Sequence, residues 1–318
     1  MTGQEILRKL QKIKNCIIYL FTKRTQSKEL KNVQQLQATA KAFAAITDGS
    51  VVTWGSSEAG GDSSVSKLLR NVKHIQATKW AFAAILTDGS VVTWGNAESG
   101  GDSHAVQDQL KDVRTLQAAD RAFAAILADG SVVTWGDRSC GGDSSAVQHQ
   151  LRNVQQLQGT SYAFSAILRD GSVVAWGCPV FGGDASAVQS QLSKVQQIQG
   201  TGAAFAAINR DGSVVTWGDG AGGGNSSHVQ EQLRNVQHIC SSTYAFAAIL
   251  ADRSMVTWGS PEYGGDSSEV QDQLQSVLNV QASDGAFAAI SADGSLVTWG
   301  GPGFGACSSG IEQQLALL

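Results

Sequence analysis

Proline is nearly missing from this chain, with three in 318 residues, and no apolar run reaches the roughly 18 residues that span a bilayer. A membrane-spanning helix is thereby excluded. Charged residues are also sparse, at 16%, but 42% of the chain is hydrophobic, which argues against disorder. Cysteine is scarce and scattered. Cys16, Cys140, Cys178, Cys240 and Cys307 form no Cys-x-x-Cys pair, and an odd number without a framework fits a reducing compartment rather than a secreted disulfide scaffold. Chemistry-bearing motifs are missing as well. There is no His-Glu-x-x-His, no P-loop and no Gly-x-Ser-x-Gly. His74, His104, His149, His228 and His238 are spread over four segments and are not expected to share a metal. No catalytic residue, metal site or cofactor is therefore expected, and the chain is read as not an enzyme.

What is present is one short sentence, repeated. "AFAAILTDGSVVTWG" recurs with its Trp at Trp54, Trp94, Trp135, Trp176, Trp217, Trp258 and Trp299, spaced by 40 residues once and by 41 thereafter. A strict period of this size marks a repeat architecture of units that cannot bury their own faces alone. Within the second unit, "VKHIQAT" alternates and reads as a strand. "AFAAIL" reads as a second strand, and "VVTWG" as a third, rich in β-branched and aromatic residues. Asp88-Gly89 between the last two predicts a type I′ hairpin. Ala83 and Ala84 leave room for a neighbouring sheet, while Phe82, Ile85, Leu86, Val91, Val92 and Trp94 fill the space between units. Seven such units predict an all-β, seven-bladed β-propeller with three-stranded blades over residues 32–318.

Departures within the repeat carry their own expectations. Arg253 stands where the other hairpins have Gly, so a turn of another type is expected there. The first hairpin, "AAITDG", is one residue short and should be tighter or bulged. The connector "GGDSSAVQDQL" and its relatives read as a turn feeding a short helix. Asp62, Asp102, Asp143, Asp184 and Asp266, or the Ser after each, would cap it. An acidic cation-binding ring is the rival reading, weakened by Asn225 and Ala306 at the same position. The Gln residues of the first strand (Gln34, Gln35, Gln37) either line a polar channel or hydrate an exposed strand; the second reading is preferred.

The charge is asymmetric. Residues 1–31 hold eight Lys/Arg against two Asp/Glu, and residues 32–318 hold 15 against 25. The acidic repeats are poor ligands for phosphate backbones, so no nucleic acid is expected at the propeller. Residues 1–31 are expected to form a basic amphipathic helix, with Ile6, Leu10, Ile13, Ile17 and Leu20 on one stripe. Docking on the propeller or on a partner chain is the preferred role, ahead of membrane contact through residues 1–24. The location expected is cytoplasmic, with the nucleus as the alternative.

Asp-Gly-Ser-Val-Val-Thr-Trp-Gly, as at 88–95, resembles the repeats of the regulator-of-chromosome-condensation superfamily, and seven copies stand in register over about 32–318. The 41-residue spacing looks most like the bacterial β-lactamase-inhibitor propeller of that superfamily, which is seven-bladed. Similar arrays occur in HECT-type ubiquitin ligases. The resemblance implies a propeller that binds other proteins. It does not carry exchange or ligase activity, because no unit has a long insertion and no HECT domain is present. Ring closure stays open, since "SKELKNV" at 27–33 and "SSGIEQQL" at 308–315 both look like the connector for one slot.

Strand direction supplies the site. The turn between strands one and two and the loop after Trp-Gly fall at one end of each blade; the Asp-Gly turns fall at the other. The hairpin end is nearly constant and the loop end varies, as a binding surface on a rigid scaffold would. The candidate partner-binding residues are Lys79, Trp80, Asp120, Arg121, Arg138, Tyr162, Phe181, Tyr244, Glu262, Tyr263 and Phe304, since aromatics and Arg are typical interface anchors. The function expected is a non-enzymatic protein-interaction scaffold. The alternative is a regulatory or substrate-recruiting propeller segment of a HECT-type ligase or a guanine-nucleotide exchange system. The partner is another protein.

Overall fold

A computed structural model of the chain describes residues 30–62 and 69–306. The N-terminal helix expected over 1–31 lies, up to residue 29, outside the described residues, as does the segment at 308–315.

The described chain is all-β. It forms seven antiparallel sheets of three strands each, in the order first–second–third, and these are the seven blades of a propeller. The blades span 33–55, 72–95, 113–136, 154–177, 195–218, 236–259 and 277–300. The chain divides into two compact units, Met1–Val113 with blades 1 and 2 and Arg114–Leu318 with the body of blades 3 to 7.

Blade 2 shows why the repeat folds as it does. Its strands are Val72–Ala77, Ala81–Leu86 and Val91–Gly95. Ala81 to Ile85 are all buried, so the middle strand is covered on both faces, and alanine on it lets other sheets approach. Phe82, Ala84 and Trp94 face blade 1 and pack on Ala42, Ala44, Ile46 and Val51. Phe82 stands opposite Trp94 in the ladder, and their rings stack at 5.1 Å. The same Phe–Trp stack recurs in every blade. In blades 2, 4, 5, 6 and 7 this Phe and Trp form one side of a core shared with the preceding blade.

The hairpins differ from the expected type. In blade 2 Gly89 has φ +81°, but Asp88 is not left-handed, and the bonds run Leu86 N–H to Ser90 O and Gly89 N–H to Leu86 O. This is a three-residue loop, a type I turn closed by a bulged glycine, rather than type I′. The extra residue allows the carboxylate of Asp88 to accept from both the backbone N–H and the hydroxyl of Ser90. Only the shortened first hairpin is type I′, with Asp48 at φ +50° and Gly49 at +75° between paired Thr47 and Ser50. Tightening, not bulging, absorbs its missing residue. Arg253 corrects another expectation. It keeps the glycine's place at φ +68° and donates its N–H to Leu250 O, as its glycine equivalents do, so the turn is unchanged.

The connectors carry six-residue 3-10 helices at His104–Gln109, Ser186–Gln191 and Ser268–Gln273. Asp102, Asp143, Asp184 and Asp266 each accept the backbone N–H two residues on, an Asx turn that satisfies a free N–H from one place ahead of the N-cap; the N-caps Ser103, Ala185 and Ser267 make no such bond themselves. Asn225 does the same for Ser227, so the task needs an oxygen and not a charge. Gln35 does more than hydrate an exposed strand. Its amide pairs with both backbone groups of Ile75 in blade 2, at 2.8 and 3.0 Å.

Candidate partner-binding face

The loop end of each blade is built from two segments tied together. The backbone N–H that follows Trp-Gly donates to the turn between strands one and two: Asn96 to Trp80 O, Asp137 to Arg121 O, Cys178 to Tyr162 O, Ser260 to Tyr244 O and Gly301 to Gly285 O. The two variable segments therefore lie side by side. A hydroxyl just after strand one adds a second tie. Thr160 donates to Phe181 O at 3.0 Å, Ser242 to Tyr263 O at 2.8 Å and Ser283 to Phe304 O at 2.8 Å. These three hydroxyls position the very residues singled out as anchors. Their signal in the sequence is a Ser or Thr that recurs at that place in six of the seven repeats.

In the second unit the anchors gather into two groups. Tyr162 and Phe181 of blade 4 lie 4.5 Å apart, centroid to centroid, with Tyr162 36% exposed. Val180 beside them is 63% exposed, an apolar side chain that belongs to the group and was not among the candidates. The other group runs from Tyr244 to Tyr263 at 4.8 Å, edge to face, and on to Phe304 at 5.6 Å. Phe304 is 44% exposed. Its ring lies over Gly285, where a Cβ would meet it at 2.5 Å. Glycine there makes room that the Tyr, Arg or Trp of other blades would fill. Glu262 stands exposed on the 3-10 turn Pro261–Tyr263.

The charged candidates sit on blade 3. Arg121 approaches Asp137 at 3.1 Å, and Arg138 reaches Asp143 at 2.8 Å. The hydroxyl of Ser139, helped by its N–H and by Arg121, holds the Asp137 carboxyl below the usual carboxylate range. Asp120 is half-buried beside Arg121. In the first unit, Trp80 is partly buried and packs on the blade 1–blade 2 core, with the Lys41 ammonium 5.1 Å over its ring. Lys79 beside it is exposed, and its carbonyl accepts from Ala40 N–H. Trp80 thus props the loop end of blade 2, while Tyr162 and Val180 project from that of blade 4 and Phe304 from that of blade 7.

Among the described residues no three His, Cys, Asp or Glu come together. Burial pushes the Cys240 thiol up to about 11 and raises that of Cys140, the opposite of activation. No helix among the described residues is long and apolar enough to cross a membrane.

Seven three-stranded sheets, each with its loops tied at one end, decide the architecture. They are the blades of an all-β seven-bladed propeller. No family model matches the chain, and no curated protein matches it. Solved structures similar to it include yeast RCC1 (Prp20) bound to Kap60, at 15% identity over 80% of this chain and 79% of that one, TM-score 0.48. Human WBSCR16 is similar at 16% identity over 86% and 77%, TM-score 0.49. Prp20p from Saccharomyces cerevisiae, described with its binding to Gsp1p and histones, is similar at 15% identity over 73% of each chain, TM-score 0.45.

Proposed function

We propose that this propeller is a non-enzymatic scaffold that binds another protein on its loop face. The observation that carries the reading is the contrast between the two ends of the blades. At the hairpin end the same Asp–Ser turn recurs almost unchanged. At the loop end Tyr162, Val180 and Phe304 stand exposed, backed by Phe181, Tyr244 and Tyr263. Rigidly backed aromatics with polar and charged neighbours are what protein interfaces use as anchors, since large rings bury much area at little entropic cost. Arg121, Arg138, Asp120, Glu262 and Lys79 supply the rim that would set orientation.

The test is affinity capture from cell extract with the intact chain and two triple variants. The first carries Tyr162→Ala, Val180→Ala and Phe304→Ala on the loop face. The second carries Arg169→Ala, Arg210→Ala and Asp252→Ala at the hairpin end. The loop-face variant is expected to lose at least tenfold in recovery of bound protein while the hairpin variant keeps it; circular dichroism confirms that both are folded. Equal recovery by the loop-face variant, or loss confined to the hairpin variant, overturns the reading.

A further inference from the structure

The loop ends of blades 4 to 7 are joined edge to edge. In the turns between strands one and two, the N–H of Ser161 donates to Gly202 O at 3.0 Å, that of Gly202 to Thr243 O at 2.7 Å and that of Thr243 to Asp284 O at 2.9 Å. Turns from four consecutive blades are thereby held in one backbone row, inside the single compact unit Arg114–Leu318.

Blade 5 is the low place in that row. Its turn is Gly202-Ala203, with Ala203 buried, and its loop is "DGAGGG" at 219–224. The longest side chain of these two segments is Asp219, and it is folded back to accept the Gly222 N–H at 2.9 Å. Aromatic groups stand on both sides. Tyr162 and Phe181, with Val180, belong to blade 4; Tyr244 and Tyr263 belong to blade 6 and continue to Phe304 of blade 7. A Cβ at Gly222 would meet the Tyr244 ring at 3.5 Å, so that ring lies against the blade 5 loop. A Cβ at Gly220 would meet only Asn225, at 3.6 Å, so the loop is open above. The result is a trough with a floor of glycine-rich backbone and aromatic walls. Charge is sorted along the same blades. Residues 154–306 hold five cations, Arg169, Lys194, Arg210, Arg234 and Arg253, and all are exposed at the hairpin end. Lys194 belongs there because its carbonyl accepts the Arg210 N–H, and Arg234 because the carbonyl of its neighbour Asn235 accepts the Ala251 N–H. The loop end of these blades has no Lys or Arg, and it carries Asp184, Asp219, Glu262, Asp266 and Asp284. Glu262 adjoins Tyr263, and Asp284 adjoins the glycine under the Phe304 ring.

We infer that this trough takes an extended, arginine-bearing segment of the partner protein; the inference rests on the scaffold reading above and names the partner's chemistry. Charge complementarity names the occupant. A face with five carboxylates and no cation repels an acidic segment and draws a basic one. Arginine answers the walls and the acids together. Its guanidinium plane stacks on tyrosine and phenylalanine rings, while its edge donates to carboxylates such as Glu262 and Asp284. The floor answers the main chain, because a surface without side chains lets another backbone approach closely.

Fluorescence anisotropy of the full chain with labelled peptides that alternate leucine with arginine, glutamate or serine tests this. The arginine peptide is expected to bind, more weakly as salt is raised, and the other two to bind at least about tenfold less tightly. Ala221→Trp fills the trough from an exposed position and is expected to cost the arginine peptide at least about tenfold in affinity. Glu262→Lys with Asp284→Lys is expected to do the same. Glu231→Lys with Asp272→Lys, at exposed connector positions, changes the net charge equally and is expected to cost less than about threefold. Equal binding of the arginine and glutamate peptides, or binding of neither, overturns the inference. So does undiminished binding by Ala221→Trp, or an equal loss in the two charge variants, since overall charge and not the trough would then hold the peptide. In each of these cases, capture of protein that still depends on Tyr162, Val180 and Phe304 leaves the scaffold reading standing, so the two readings fail separately.

Discussion

Arg253 holds a left-handed backbone at φ +68° in a place where other hairpins use glycine. The Cβ of an L-residue crowds its carbonyl there, at about 1–2 kcal/mol, and part of any relief from glycine is offset by the freedom glycine has when unfolded. Its backbone also bonds outward, accepting from Val277 N–H of blade 7. Arg253→Gly is therefore expected to raise stability by about 0.5–1 kcal/mol, read as a higher urea midpoint at unchanged slope. A lower midpoint would mean that the arginine side chain contributes more than its backbone costs. The turn type itself was not legible in Asp-Gly, because that pair serves both a two-residue type I′ loop and a three-residue bulged one. Loop length against strand register decides between them. The first hairpin takes one solution and the second the other.

At the scale of the element, each connector is fastened to its blade by a short polar chain. In blade 3 the Thr134 hydroxyl meets Ser144 at 3.0 Å, Ser144 donates to Gln148, and the Gln148 amide donates to Val132 O. Blades 2, 5 and 6 repeat it. Blade 4 has Ala175 and Ala185 in place of both hydroxyls and keeps only the Gln189 bond to Val173 O. Losing both hydroxyls together leaves no buried polar atom without a partner, which is the cheaper change. A double-mutant cycle on Thr134→Ala and Ser144→Ala is expected to show a coupling of about 1 kcal/mol, the double variant being less destabilised than the sum. Strict additivity would mean the hydroxyls act independently. The paired alanines were visible in the repeat, ten residues apart, but only the folded connector shows that the two positions touch.

Over the whole molecule, carboxylates set the acid limit. The hydroxyl and backbone N–H of the serine two residues on lower the pKa of the hairpin carboxylates Asp88, Asp129, Asp170, Asp211 and Asp252. Backbone N–H groups do the same for the connector aspartates Asp102, Asp143, Asp184 and Asp266. A group whose pKa falls on folding adds stability above its unfolded value, near 4, and that stability is lost as pH drops through the folded value. Burial lowers the pKa of His74, so a smaller loss of the same sign begins below about pH 6.5. The melting temperature is expected to be nearly flat from pH 6.5 to about 8, to slip slightly towards pH 5 and to fall steeply below pH 4; above about pH 9 it falls again, because the buried Cys240 thiol, held up to about 11, cannot ionise as the unfolded one does. A melting temperature that rises on acidification below about pH 5 would contradict the turn assignments.

The sequence by itself determined the number of blades, their three strands, that the connector aspartates accept backbone N–H groups, and which loops share an end. All of these follow from local pattern: a strict period, alternation along a strand, and the reversal of direction at each hairpin. Tertiary structure alone decided that Gln35 pairs with the backbone of Ile75, that Trp80 is packed down on the core beside it, and that Val180 at the loop end of blade 4 stands exposed. The repeat writes each of these positions identically from unit to unit or as free variation. Whether a side chain is covered depends on which sheet lies against it, and that is a property of the assembled blades rather than of any one of them.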